Sequence, residues 1–259
     1  MMEKVLLIDG DALLYYEAFK EQTFEEAKVG IYKRLEIILK TTKANKYVAF
    51  LSCSNNFRHK IAKTKDYKSG RNNNKPKLFY KLKDFIMNNL GFCVINQYEA
   101  DDLVLYYAYN LKNYECIICS PDKDVLYQKE GKHFNYQYKK FNNSEEVKLG
   151  DFVNVTQFEV EYFKCKQLLT GDSVDSIIGI PKLGKVKADK ILKDLKTKEE
   201  LFEAVVKKYI EHFKCNQLAI NKLCENINLL QMITNDDLID YFKLPKLKEI
   251  PLIVKVKNV

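Results

Sequence analysis

Over the first 130 residues, short apolar runs alternate with stretches of helical period. Val5-Leu6-Leu7-Ile8, ending at Asp9, predicts a strand over 5–9, and the apolar positions from Phe24 to Thr41 predict an amphipathic helix. Further strands are predicted over Tyr47–Leu51, Phe92–Ile95 and Glu115–Cys119. Between and after them lie predicted helices from Pro76 to about Leu90, from Glu99 to Leu111, and from Pro121 onward. Strands and helices in alternation predict an α/β fold with a central, mainly parallel sheet covered by helices on both faces.

From about Asp151 the period is helical throughout. Helices are expected over Thr156–Leu169, as a glycine-punctuated pair within Asp172–Leu195, and near Lys198–His212 and Asn216–Ile233. Tyr136–Gly150 reads as a hairpin or loop. The expected division is an α/β domain over 1–150 and an all-helical subdomain over 151–259, packed together, since no Pro/Gly linker separates them.

Composition adds one feature. The formal charge is +8, yet Phe57–Lys83 alone holds ten basic residues against Asp66, so the rest of the chain is near neutral. A single basic block on a balanced body points to a polyanion contact, or to a solvated lysine-rich loop. No apolar run is long enough to cross a bilayer, and the first strand is too short for a signal peptide. Seven scattered cysteines without an export signal suit a reducing cytoplasm. Cys116 and Cys119 lie in a strand-like run with no second pair, which disfavours zinc.

Acids follow the expected strand ends. Asp9 and Asp11 follow the first strand; Glu99-Ala100-Asp101-Asp102 follows the third; Asp122 and Asp124 follow the fourth. Asp172 and Asp175, three apart, are expected on one helix face. Each group has an ordinary explanation in helix capping, with Ser120 as N-cap ahead of Pro121, or Asp172 with Asp175 as a capping box. Capping does not account for their convergence on one sheet edge, where parallel α/β folds place their sites. So many carboxylates need cations, and oxygen-only ligation suits Mg²⁺ or Mn²⁺. A pair of such ions can drive phosphodiester hydrolysis without a histidine base.

In order, these motifs resemble the 5′-nuclease family, which includes flap endonucleases and the 5′-exonuclease domain of bacterial DNA polymerase I. Leu7-Ile8-Asp9-Gly10, Glu99–Asp102, Asp122-x-Asp124 and Gly171-Asp172-x-x-Asp175 match its acidic motifs. Ile178-Gly179-Ile180-Pro181-Lys182-Leu183-Gly184-Lys185, with Ala188, resembles its helix-three-turn-helix. Phe57-Arg58 and Tyr67-Lys68-x-x-Arg71 resemble the motifs of its helical arch. The resemblance spans about Val5 to Leu195 and implies a PIN-like fold. It implies two ions held by Asp9, Glu99, Asp101, Asp102, Asp122, Asp124, Asp172 and Asp175, with Lys68 and Arg71 acting on the scissile phosphate. DNA is expected at Arg58, Tyr67, Gly179, Ile180, Lys182, Gly184, Lys185 and Lys187, with K⁺ at the turn; Tyr67 reads equally as a packing residue. Apart from the family, two glycines five apart before Lys185 suggest a turn whose amides approach a phosphate, or an ordinary packing turn.

The implied enzyme is a free-standing, monomeric 5′-nuclease of replication or repair, from a phage or low-GC bacterium. It would cut DNA at 5′ ends or flap junctions, RNA primer 5′ ends being a further substrate. Two departures from the family pattern stand out. Leu51-Ser52-Cys53-Ser54 lacks the acid usual after the second strand, so Ser52 or Asp11 takes its place, and the turn has Lys182-Leu183-Gly184 for Gly-x-Gly. The alternatives are a catalytically impaired DNA-junction scaffold on the same fold, and a PIN-type ribonuclease.

Overall fold

The computed structural model describes residues 2–20, 22–71, 74–140, 147–247 and 253–255, with side-chain surroundings left out at 138–140 and 147–149. The chain runs β1 (Glu3–Asp9), α1 (Asp11–Ala18), α2 (Phe24–Thr42), β2 (Lys46–Leu51), α3 (Arg58–Ile61), α4 (Phe79–Leu90), β3 (Cys93–Val94), α5 (Ala100–Asn110) and β4 (Tyr114–Cys119). It continues through α6 (Lys123–Leu126), β5 (Gly131–Lys140), β6 (Val147–Val155), α7 (Gln157–Thr170), β7 (Gly171–Asp172) and β8 (Ile177–Ile178). Last come α8 (Lys185–Leu192), α9 (Lys198–Phe213), α10 (Asn216–Leu230), α11 (Asp236–Tyr241) and β9 (Val254–Lys255).

The main sheet has the order β3-β2-β1-β4-β5-β6, and β9 pairs with β2. Strands β3, β2, β1, β4 and β5 pair in parallel; β6 is antiparallel to β5, and β9 to β2. Alternation along β1 sends Leu6 and Ile8 to one face, with residues of α1, α2 and α4, and Val5 and Leu7 to the other, with α5. Both faces are therefore covered, which is why the central strands read as continuous apolar runs. Parallel pairing aligns the carboxyl ends of β1, β2 and β4, and that edge carries the acids.

A third core joins α7, α8, α9 and α10 through Leu169, Leu192, Leu201, Val205 and Leu223. Helix α7 starts where expected because Thr156 and Glu159 form a capping box. Several expectations need correction. Strand β6 carries the sheet to Val155, past residue 151. Ile233, Ile239 and Leu244 return to the sheet's second core, so the chain's last part is not helical packing alone. Asp172–Asp175 is not helical: Gly171 has φ +68° and ends α7, after which β7 and β8 form a small hairpin. The described part of the segment between α3 and α4 consists of turns, not an arch helix. Within the Tyr136–Gly150 stretch β5 and β6 pair as antiparallel strands, and residues 141–146 lie outside the described residues. Among the described residues, no helix is long and apolar enough to cross a membrane.

Candidate active site

Asp9 ends β1 at the carboxyl edge of the sheet, buried within a cleft that it lines. One of its carboxylate oxygens accepts from the Asp11 amide at 3.2 Å and the other from Ser120 Oγ at 2.9 Å, while Tyr136 OH donates to its carbonyl. Burial raises the Asp9 pKa to about 7, reinforced by the charges of Asp11 and Asp122 and opposed by the Ser120 hydrogen bond. Asp11 turns toward β2: its Oδ1 accepts from the Ser52 amide at 3.0 Å. The Ser52 hydroxyl faces away, accepting from the Ala100 amide at 2.9 Å at the start of α5. The edge position that lacks an acid in sequence is thus supplied with the Asp11 carboxylate.

Asp122, rather than Ser120, caps α6, accepting from the Asp124 amide at 2.8 Å; Ser120 instead accepts from the Asp122 amide and ties this turn to Asp9. Asp124 faces α7, where Gln167 Nε2 donates to it at 3.0 Å. Burial, then Asp122, Asp172 and Asp175, raise its pKa to about 7. Asp172 Oδ1 accepts from the Val174 and Asp175 amides, which fixes the turn and directs Asp175 back toward the sheet.

The start of α5 is divided between two tasks. Ligand atoms of Glu99, Asp101 and Asp102 lie within 4.8 Å of one another. Asp102 is nonetheless fully buried, with its oxygens held by Arg58 Nη1 and Nη2 at 2.7 and 2.8 Å. Arg58 also donates to the carbonyls of Leu229 and Gln231. Asp102 and Arg58, expected at a metal and at DNA respectively, are thus buried against each other here, with Asp102 held by the Arg58 guanidinium. Glu99 meets Lys68 Nζ and accepts from Tyr67 OH at 2.8 Å. Burial opposes its ionisation, but Arg58 and Lys68 outweigh that and hold its pKa below the usual range. The Asp101 carboxyl is pushed well up, by burial first and then by Glu99 and Asp102.

One cleft of about 1020 Å³ gathers these groups. It is lined by Asp9, Asp11, Glu99, Asp101, Asp122, Asp124, Asp172 and Asp175, and by Lys68 and Arg71. Arg71 pairs with Asp175, and Lys68 Nζ lies 3.8 Å from it. Tyr67 is buried, its hydroxyl lying 2.8 Å from an oxygen of Asp175 as well as of Glu99 and sharing its one proton between them, so its ring is not open to a base.

Residues 4–153 match the model of the 5′-3′ exonuclease N-terminal resolvase-like domain. The chain belongs to the 5′-3′ exonuclease family. It is 26% identical over 216 residues to a 5′-3′ exonuclease of Mycoplasmopsis pulmonis, a match that covers 78% of this chain and 70% of that one. It is 28% identical over 254 residues to DNA polymerase I of Bacillus subtilis, covering 85% of this chain and 27% of the polymerase. Among solved structures, the T5 D15 protein co-crystallised with metal ions aligns with a TM-score of 0.56 at 14% identity, over 93% of this chain and 97% of that one. The catalytic core of Rad2 in complex with DNA substrate aligns at 0.52 and 12%, over 98% and 82%. At such identities the two structures bear on the fold, which they share.

In this 5′-3′ exonuclease the glycine turn divides as well. Gly179 is buried where a Cβ would lie 2.3 Å from the Gly171 amide nitrogen, so it serves close backbone packing. Ile180 is buried and its amide donates to the Leu169 carbonyl, leaving neither side chain nor amide for DNA. Gly184 is different: it is exposed, precedes α8, and a Cβ there would meet nothing within 4 Å. Lys182, Lys185 and Lys187 surround it, all exposed, and Lys187 Nζ donates to the Lys182 carbonyl. Sequence reasoning missed Ser120 and Tyr136 as partners of Asp9, and Gln167 as partner of Asp124. The first was visible only as a cap, and the others lie far away in sequence.

Proposed function

We propose that this 5′-3′ exonuclease is a structure-specific 5′-nuclease, hydrolysing DNA phosphodiesters at 5′ ends or flap junctions with divalent metal ions. The observation that carries the reading is one cleft that gathers these carboxylates together with Lys68 and Arg71, which pair with Glu99 and Asp175 inside it. Asp9, Glu99, Asp101, Asp122, Asp124, Asp172 and Asp175 fit Mg²⁺ or Mn²⁺: all donors are hard oxygens, and mutual repulsion with burial raises Asp9 and Asp124 to about 7, an electrostatic cost that bound cations relieve. Bound in pairs, such ions lower the pKa of water and neutralise charge on a phosphodiester.

The chain's own groups do the rest. Lys68 and Arg71 face the acids and can release them to hold the oxygens of an incoming phosphate, where charge develops. Tyr67 keeps Glu99 and Asp175 in register, and Arg58 fixes the start of α5. Duplex phosphates are met at the α8 end by the exposed Gly184 backbone with Lys182 and Lys185. A K⁺ ion at this turn would compete with the Lys187 ammonium already on the Lys182 carbonyl. The Asp11 carboxylate at the end of β2 favours an active enzyme over an impaired scaffold.

The test is cleavage of an end-labelled 5′-flap DNA, a single strand and a blunt duplex in Mg²⁺ or Mn²⁺. Preferred cutting near the flap junction, leaving a 5′-phosphate, supports the reading. Binding without cutting supports the scaffold, and cutting confined to RNA supports the ribonuclease.

A further inference from the structure

We propose that Phe19 and Tyr80 form a stacking platform for single-stranded nucleic acid beside the cleft. The proposal rests on the nuclease reading above and assigns the path of the strand outside the reacting centre. Tyr15 and Phe19 stand four apart at the end of α1 and so lie on one side of it. Their rings stack at 5.8 Å. Tyr15 also meets Phe79 at 5.0 Å, and Phe79 meets Tyr80 at 5.3 Å, at the start of α4. Tyr15, the second ring of this four-ring run, lines the cleft with Asp9 and Asp11 and so joins the run to the acids. Its outer ends are bare: Phe19 is 69% and Tyr80 65% exposed.

The charge around the rings selects the occupant. Lys75 Nζ lies 5.1 Å from the Tyr15 centroid and 5.0 Å from that of Phe79. Lys77 and Lys81 are exposed on either side of Tyr80 in sequence, and among the described residues neither pairs with a carboxylate. Asp84 is the one acid in α4, and Lys20 is already held by Glu17. Exposed rings flanked by lysines that lack carboxylate partners, with Lys75 bound to the Tyr15 hydroxyl between them, suit a strand that offers bases and phosphates in alternation. Bases within a duplex are already stacked, so the ligand is a single strand continuous with the nucleic acid in the cleft.

The experiment uses a (dT)12 strand carrying one 2-aminopurine, titrated with protein in EDTA so that binding is read without cleavage. Wild type should quench the 2-aminopurine on binding, while the double variant F19A/Y80A should lose the quench and bind roughly tenfold more weakly or worse. F19W/Y80W should retain both. Unchanged melting temperatures check the fold of the variants. Wild-type affinity and quench in F19A/Y80A would overturn the proposal. So would wild-type binding of the strand no tighter than of a blunt duplex, or self-association in sedimentation that the double variant abolishes, which would make the patch an interface between copies. Flap cleavage is assayed in parallel: no cutting by the wild type in Mg²⁺ or Mn²⁺, with ring-dependent quenching intact, would remove the nuclease reading and leave the platform standing.

Discussion

Arg58 and Asp102 meet in a two-pronged salt bridge, at 2.7 and 2.8 Å, inside the junction between the sheet domain and α10. Asp102 also accepts from the Ile233 amide, and Arg58 donates to the Leu229 carbonyl at 2.9 Å. The pair therefore ties the acidic start of α5 to the helices that complete the cleft. Arg58→Ala would leave Asp102 charged and buried, and should cost about 3–5 kcal/mol in urea unfolding. Arg58→Lys should recover only part of this, because an ammonium cannot bridge both oxygens and the carbonyls. An unfolding midpoint equal to wild type in Arg58→Ala would refute the tie.

Asp11 supplies the carboxylate at the end of β2. Asp11→Asn keeps an oxygen for the Ser52 amide but removes the charge. We expect an unchanged melting temperature, weaker Mn²⁺ binding by calorimetry, and cleavage slowed by roughly tenfold to hundredfold. Full Mn²⁺ affinity in the variant would show that the charge at this position is dispensable.

Lys68 bridges Glu99 and Asp175 within the cleft. Lys68→Ala should lower the single-turnover rate about 10²–10³-fold while flap binding changes little, since its contact with phosphate strengthens as charge develops. Equal losses in binding and rate would make it a binding residue only.

Glu17 gives a pH signature away from the cleft. Burial works against its charge, but hydrogen bonds from Arg34, Lys20 and Gln22 prevail and lower its pKa from the ordinary 4.5. Its contribution is thus complete above about 4.5 and is lost as pH falls through the lower folded value. Glu17→Gln should flatten the fall in stability across that acid window, followed by thermal melts. A parallel curve for wild type and variant would contradict the assignment.

What was legible in the sequence was local. The continuous apolar run Val5–Ile8 and the capped, amphipathic helices marked out most of the elements, and the acids after β1, β3 and β4 pointed to one edge. The misreadings came from contacts that no short window holds. Asp172 and Asp175 have helical spacing, yet Gly171 leaves α7 in the left-handed region and turns them into a hairpin. Arg58 and Tyr67 looked outward because they belong to a basic run, but Asp102 and Glu99, some thirty to forty residues away, draw them inside. Gly179 resembled a phosphate turn and instead packs on Gly171.

The central claim is that the cleft's carboxylates hold the metal that cuts DNA, and Asp122 tests it most directly because it is an exposed acid at the end of β4. The decisive measurement is single-turnover cleavage of an end-labelled 5′-flap DNA in Mg²⁺ by wild type and Asp122→Asn, with EDTA as control. Wild type should cut and EDTA abolish the cutting, while the folded variant cuts slower by a factor of ~10² or more. Wild-type rates in Asp122→Asn, or cutting that persists in EDTA, would contradict the claim.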